Sequence, residues 1–169
     1  HEACALPCFG DVDVLVCGGG PAGVGAAGRA ARGGASTMIV EMGGCLGGIA
    51  TAGMMSHWGG KSSSKIMQEI FTRSREMDLG YTWIDSNEPG KMNGIPHDIQ
   101  MIVLEEMMQE DKVEILYYTM VCEAVVENDC ILGVTVQNKS GRGFIKAKRV
   151  IDSTGDGDVA ASAGVPFFK

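Results

Sequence analysis

The tightest constraint in this chain is a glycine cluster set between a strand and a helix. Asp11 to Cys17 reads DVDVLVC, a β-branched apolar run suited to a buried parallel strand. Gly18-Gly19-Gly20-Pro21-Ala22-Gly23 follows at once, and within it Gly18, Gly20 and Gly23 form G-x-G-x-x-G. Pro21 to Arg32 is alanine-rich, with Pro21 suited to a first helical position and Gly33-Gly34 as the stop. A second apolar run, Met38 to Val40, ends at Glu41, which stands 23 residues after Gly18. Strand, glycine turn, helix and strand in about thirty residues make a βαβ unit, which commits the chain to a parallel sheet.

Each position in the glycine turn has a physical role. Gly18 permits the tight turn, Gly20 lets backbone approach a pyrophosphate with no Cβ in the way, and Gly23 allows close packing of helix on strand. The helix N-terminus presents unpaired N–H groups and partial positive charge to phosphates. Glu41 can accept hydrogen bonds from both hydroxyls of a ribose, an arrangement that disfavours a 2′-phosphate. Two rival motifs are decoys. Gly60-Lys61-Ser62 resembles the end of a P-loop, but Met55 stands where the leading glycine belongs. Asn138-Lys139-Ser140 fits a glycosylation sequon, yet an intracellular chain is not modified there.

Beyond the βαβ unit the period changes twice. Residues 42 to 60 carry seven glycines in nineteen positions and read as an extended loop of functional type. Ser62 to Ser64 can cap a helix reaching Met77, with Ile66, Ile70 and Phe71 on one face and Gly80 past its end. Residues 81 to 95 read as a polar, turn-rich connection. Pro96 opens a second amphipathic helix through Ile99, Ile102, Val103 and Met107, whose acidic Glu105, Glu106, Glu110 and Asp111 face water. Four strand-like segments follow, Val113 to Tyr118, Met120 to Val126, Ile131 to Gln137 and Gly143 to Ala147, and then a final strand, Arg149 to Asp152. That strand runs into Ser153-Thr154-Gly155-Asp156-Gly157-Asp158, where the two aspartates serve either a ligand or turn formation and helix capping. Residues 1–10 read as an N-terminal tail, and 11–169 as one domain.

Composition narrows the function class. The 169 residues hold 14 Lys+Arg against 21 Asp+Glu, a net charge of −7, which argues against a nucleic-acid partner. No apolar run approaches the ~20 residues that cross a bilayer, and no basic segment precedes an apolar one near the N-terminus, so no membrane partner is expected. Six cysteines are scattered without a C-x-x-C pair, so neither a zinc site nor a dithiol relay is expected, and reduced thiols in the cytoplasm are the expectation. The 25 glycines are about twice the usual ~7% share, without a collagen period.

Three ordered stretches carry a family resemblance: DVDVLVCGGGPAGVGAAGRAARGG, IVEMGGCLGGIATAG and KAKRVIDSTGDGDVAASAGVPF. Together they resemble the FAD-dependent oxidoreductases whose nucleotide domain is similar to that of glutathione reductase, over Asp11 to Phe167. The resemblance implies an α/β fold, a Rossmann-like parallel sheet with an inserted antiparallel β-meander, forming an incomplete FAD-binding domain without its substrate domain. It implies that Gly18, Gly20, Pro21, Ala22, Gly23, Glu41 and Met42 hold the ADP half of FAD. Leu46, Gly47, Gly48 and Thr51, matching LGG-x-x-T, would lie beside the pyrophosphate and ribityl chain. Thr154 and Gly155, with Asp158 beyond them, match the A-T-G loop that closes over the cofactor, here with Ser153 in place of alanine. Val121 lies on the strand whose backbone meets the adenine edge.

The residues support the same cofactor independently. A flavin dinucleotide is long, anionic at its middle and flat at its reactive end, so it needs several backbone-exposing glycine loops where NAD needs fewer. The implied activity is transfer of a hydride or electrons between FAD and a small-molecule substrate of unidentified structure. A different class stays open: a non-catalytic FAD- or NAD-binding module that needs a partner chain to complete an active site. Cys45, Thr51, Ser56 and His57 are polar candidates near the flavin, but no catalytic residue is assigned. Cys45 reads either as a reactive thiol or as an inert buried one, and His57 as an acid/base group or an ordinary loop histidine. Apolar Val165 to Phe168 predicts self-association or contact with another chain.

Overall fold

The computed structural model describes residues 6–58, 64–77 and 93–168. Strand β1 (Cys8–Cys17) leads into helix α1 (Pro21–Arg32) and strand β2 (Thr37–Val40). A 3₁₀ turn (Gly48–Ala50) interrupts the glycine-rich loop, and strand β3 (His57–Trp58) closes it. Helix α2 (Lys65–Glu76), strand β4 (Asn93–Gly94) and helix α3 (His97–Glu110) precede strands β5 (Glu114–Leu116), β6 (Met120–Glu127), β7 (Cys130–Asn138) and β8 (Gly141–Asp152). Helix α4 (Asp158–Ser162) ends the order. The main sheet runs β5-β2-β1-β8-β7-β6, and β3 pairs with β4 separately. Pairing is parallel from β5 through β2 and β1 to β8, and antiparallel between β8, β7 and β6. The expected α/β class with an antiparallel meander is what the chain adopts.

Period-two alternation divides the parallel strands between two cores. Val16 and Ile39 face one side, where Val24 and Ala27 of α1, Ile66 and Ile70 of α2 and Ile99, Val103, Leu104, Met107 and Met108 of α3 cover them. Leu15, Cys17, Met38 and Val40 face the other, under Val134 and Val136 of β7, Ile145 of β8 and Val159 of α4. The meander thus curls over the sheet it extends, and both faces are covered along β2 and the C-terminal half of β1. This is why Val14 to Cys17 and Met38 to Val40 read as unbroken apolar runs.

Three expectations need correction. The tail over residues 1–10 is too long, because β1 already pairs at Cys8 with Phe144 and at Gly10 with Ile145. Gly143 leaves room there for the Phe9 ring, since a Cβ on it would come within 2.5 Å of that ring. Gly143 to Ala147 and Arg149 to Asp152 are not two strands but one: residues 141–146 of β8 pair with β7, while 144–152 pair with β1. Charges on the outer face break the apolar pattern between them, with Lys146 on Asp11 at 3.1 Å and Lys148 on Asp13 at 2.6 Å. The strand expected over Val113 to Tyr118 is shorter, Glu114–Leu116. Ser64 caps α2, accepting from the Met67 N–H, as the sequence led us to expect. The Gly60-Lys61-Ser62 decoy and most of the polar 81–95 connection lie outside the described residues.

Asp13 fastens β1 to both neighbouring segments. Its Oδ2 accepts from the Ser36 N–H and hydroxyl at 2.9 Å each, and Oδ1 accepts from Lys148 Nζ at 2.6 Å. Hydrogen bonds from Lys148 and then Ser36 lower its carboxyl from 3.8 to about 2. A folded value below the unfolded one means stability that is complete above pH 3.8 and lost as pH falls through about 2. We expect Asp13→Asn to flatten the fall of melting temperature between pH 4 and 2 relative to the unsubstituted chain, read by circular dichroism; parallel curves would contradict the assignment.

Candidate functional site

The C-terminal ends of β1, β2 and β8 and the start of β6 surround a cleft of about 510 Å³. Ligands of open parallel sheets bind at this edge, and the volume falls in the usual range of ~300–1,000 Å³. Gly18, Gly20, Pro21 and Ala22 form one wall, and Val40, Glu41 and Met42 a second. Thr119, Met120 and Val121 form a third, and Ser153, Thr154, Gly155, Asp156 and Asp158 a fourth, with Gly48 and Ile49 at the rim.

The glycines separate into structural and open positions. A Cβ on Gly23 would collide with the Gly18 carbonyl oxygen, so α1 sits on its strand only because that residue is bare. Gly18 has φ +101°, and a Cβ there would stand 2.5 Å from the Ser153 carbonyl oxygen. Around Gly20, by contrast, a Cβ would meet nothing within 4 Å, and the same holds for Gly155. Space beside these two backbones is what a bound diphosphate would need. At the helix start, Gly20 caps α1 with no side-chain hydrogen bond and the first turn holds no acid. The leading N–H groups therefore face the cleft without a competing anion from their own helix.

Glu41 organises the second wall. Oε2 accepts from the Gly19 N–H at 2.7 Å and Oε1 from the Gly43 N–H at 2.6 Å. Its backbone is held too, with its N–H donating to Leu116 O and its carbonyl accepting from the Thr119 N–H, both at 3.0 Å. Each carboxylate oxygen keeps a second lone pair for a ribose hydroxyl, so the expected sugar contact fits, but the side chain is first a clamp on two loops.

Leu46, Gly47 and Thr51 do not line the cleft. Leu46 is 1% exposed, lying over Gly19, and the Gly47 N–H donates to Gly19 O at 2.8 Å. Thr51 is fully buried and its hydroxyl donates to Leu46 O at 2.5 Å. These residues pin the loop across the glycine turn so that Gly48 and Ile49 reach the rim. Cys45 is half-buried, its Sγ 3.9 Å from Thr51 Oγ1, and lies away from the cleft walls. Ser56 lies away from them too. The side chains of His57 and Trp58 fall outside those described. The sequence missed Val40, Ile49, Thr119 and Met120; Thr119 is buried between β5 and β6, where no hydrophobic period marks it.

Among the described residues no group of three or more His, Cys, Asp or Glu is placed to hold a metal ion, and no helix is long and apolar enough to cross a membrane. The described cysteines, Cys8, Cys17, Cys45, Cys122 and Cys130, are all free thiols. Burial, then the charge of Asp152, raises the Cys17 thiol to about 12, which makes it an unreactive core residue.

A family model described as FAD dependent oxidoreductase matches residues 13–169. No curated protein matches the chain significantly. Among solved structures, THI4 of Thermovibrio ammonificans is similar with a TM-score of 0.68 and 18% identity, over 90% of this chain and 61% of that one. A geranylgeranyl bacteriochlorophyll reductase-like protein of Thermoplasma acidophilum follows at 0.67 and 18%, over 94% and 44%. L-proline dehydrogenase from P. horikoshii gives 0.62 and 18%, over 96% and 58%. The chain thus spans less than two thirds of these proteins, and the likeness establishes a shared fold.

Two substitutions separate the glycine roles. Gly20→Val, in extended backbone with open space around it, should cost about 1 kcal/mol of stability or less, as a poorer N-cap, and abolish FAD retention. Gly23→Val should destabilise by about 1–3 kcal/mol or more through overpacking. Equal flavin content in Gly20→Val and the unsubstituted chain would remove the diphosphate from this turn. Glu41→Ala should weaken FAD binding by about 1.5–3 kcal/mol, with Glu41→Gln intermediate because one amide oxygen can still accept. Isothermal titration of the apo chain measures both, and affinities within twofold of the original would exclude Glu41 from the sugar site.

Proposed function

Because the chain belongs to the FAD dependent oxidoreductase family and FAD is its cofactor, we propose that it forms the dinucleotide-holding part of an enzyme that moves a hydride or electrons between FAD and a small molecule. The observation that carries this reading is the open backbone at Gly20 and Gly155, on the adjoining glycine-turn and β8-loop walls of one cleft, at the start of α1, which no side chain caps. When bound, FAD supplies the redox chemistry. The residues here would bind and orient it. The α1 N–H groups would meet the phosphates, Glu41 the ribose, and Val40, Met42, Met120 and Val121 the adenine, whose flat apolar faces suit that lining. Gly48 and the 154–155 loop would border the chain leading to the flavin.

A second reading rests on apolar side chains that the residues after α4 leave exposed. In it the chain is an FAD- or NAD-binding module, and another chain or a second copy completes the active site. Exposed Val165, Phe167 and Phe168 offer apolar surface for such a contact. The scattered cysteines, without a C-x-x-C pair, suit a reducing compartment, and a cytoplasmic location is part of this proposal.

An absorption spectrum of the purified chain distinguishes these. Oxidised flavin absorbs near 450 nm, roughly where its ring chemistry dictates. A yellow protein whose band bleaches on addition of a donor and returns in air supports the enzyme. Persistent colour with no donor able to bleach it supports the module. Absence of the band after reconstitution with FAD would overturn the flavoprotein reading.

A further inference from the structure

The loop after β8 closes on a single carboxylate. Asp152, the last residue of β8, accepts from the Thr154 N–H at 3.1 Å and from the Thr154 hydroxyl at 2.6 Å through Oδ1. Its Oδ2 accepts from the Ala160 N–H at 2.8 Å. Thr154 Oγ1 in turn accepts from the Asp158 N–H at 2.8 Å. Five residues, 153–157, are thereby held as a closed loop whose ends share one side chain, and the Ser153 N–H is tied to Cys17 O at 2.8 Å.

This network leaves the Thr154 hydroxyl little to offer a ligand. A hydroxyl has one proton, and here it points to Asp152. We infer that Asp152 and Thr154 are a positioning pair for FAD: the carboxylate and hydroxyl lock the loop so that bare backbone at Gly155 faces the cofactor, and the Thr154 side chain itself makes no donor contact to it. The Gly155 environment agrees, since a Cβ there would meet nothing within 4 Å. Asp152 is suited to the task as an anion. Burial raises its carboxyl, but the hydrogen bonds from Thr154 and from the Ala160, Thr154 and Val159 backbone outweigh that and leave it lowered. The inference rests on the reading that this cleft holds FAD.

The test uses the apo full chain and its variants Asp152→Asn, Thr154→Val, Thr154→Ser and the Asp152→Asn/Thr154→Val pair. FAD titrations are followed by quenching of flavin fluorescence, beside melting curves. Asp152→Asn and Thr154→Val should each raise the Kd about tenfold or more, as expected for loss of a charge-assisted hydrogen bond. The double variant should be no worse than the weaker-binding single, because both remove the same latch. Thr154→Ser, which keeps the hydroxyl, should restore binding to within about twofold. Multiplying effects in the double variant would overturn the inference, since Thr154 would then reach FAD independently of Asp152. So would a lowered melting temperature with an unchanged Kd, the mark of a purely structural pair. If Asp152→Asn fails to fold, Thr154→Val against Thr154→Ser decides alone, and equal affinities for the two overturn it. A wild-type chain that binds no FAD overturns both the inference and the functional reading, whereas wild-type binding with indifferent variants overturns the inference only.

Discussion

Three backbone segments converge without side chains at the mouth of the sheet, and the remaining architecture is arranged around that contact. Gly23 lies on the Gly18 carbonyl, and Gly18 lies against Ser153 at the end of β8. The first contact fixes α1 on β1, and the second fixes the β8 loop beside the glycine turn. A single methyl group at either position separates the elements that form the cleft. Helix α1 then seats α3, because its Gly28 leaves a Cβ only 3.2 Å from Met108. Arg32, at the end of α1, reaches Asp111 at 2.8 Å and Glu69 at 2.6 Å, so all three helices on this face are fastened to one another as well as packed. Such half-exposed ion pairs contribute little each and add orientation more than stability.

Much of this was legible because β1, α1 and β2 are locally consistent: β-branched runs, a glycine turn and an alanine-rich helix each prefer the structure they adopt. The helices α2 and α3 were readable from their 3.6-residue period and from Ser64 and Pro96 at their starts. What the sequence hid were features decided by pairing. The unity of β8 is masked by Lys146 and Lys148, which face water opposite Asp11 and Asp13 and so look like a break. The early start of β1 depends on a long-range partner, Phe144, which no local pattern announces.

The site was legible in the same uneven way. Gly18, Gly20, Pro21, Ala22, Glu41, Met42, Gly48, Val121, Thr154, Gly155 and Asp158 converge on one cleft although they come from four separate stretches. Gly23, Leu46, Gly47 and Thr51 belong to the layer behind it. A motif marks residues that must be what they are, and it does not say whether the reason is a ligand or a neighbouring backbone. Gly20 and Gly23 sit in one motif for opposite reasons, one beside empty space and one beside a carbonyl.

Carboxylates at the strand ends raise an electrostatic question, since the expected ligand carries two phosphates. Two unit charges 4 Å apart repel by about 4 kcal/mol at the effective dielectric near a protein surface. Glu41 follows β2 and lines the cleft, and Asp152 ends β8 just before the 153–158 loop that forms another wall. The conflict is relieved because both carboxylates already face backbone N–H donors: Gly19 and Gly43 for Glu41, Thr154 and Ala160 for Asp152. Their charge is directed into the loops, which it shapes, while the donors at the start of α1 stay open to the cleft. Acidic side chains thus shape the loops around the cleft by accepting from those loops' own amides, and the bare backbone of Gly20 and Gly155 keeps the open space that a diphosphate would need.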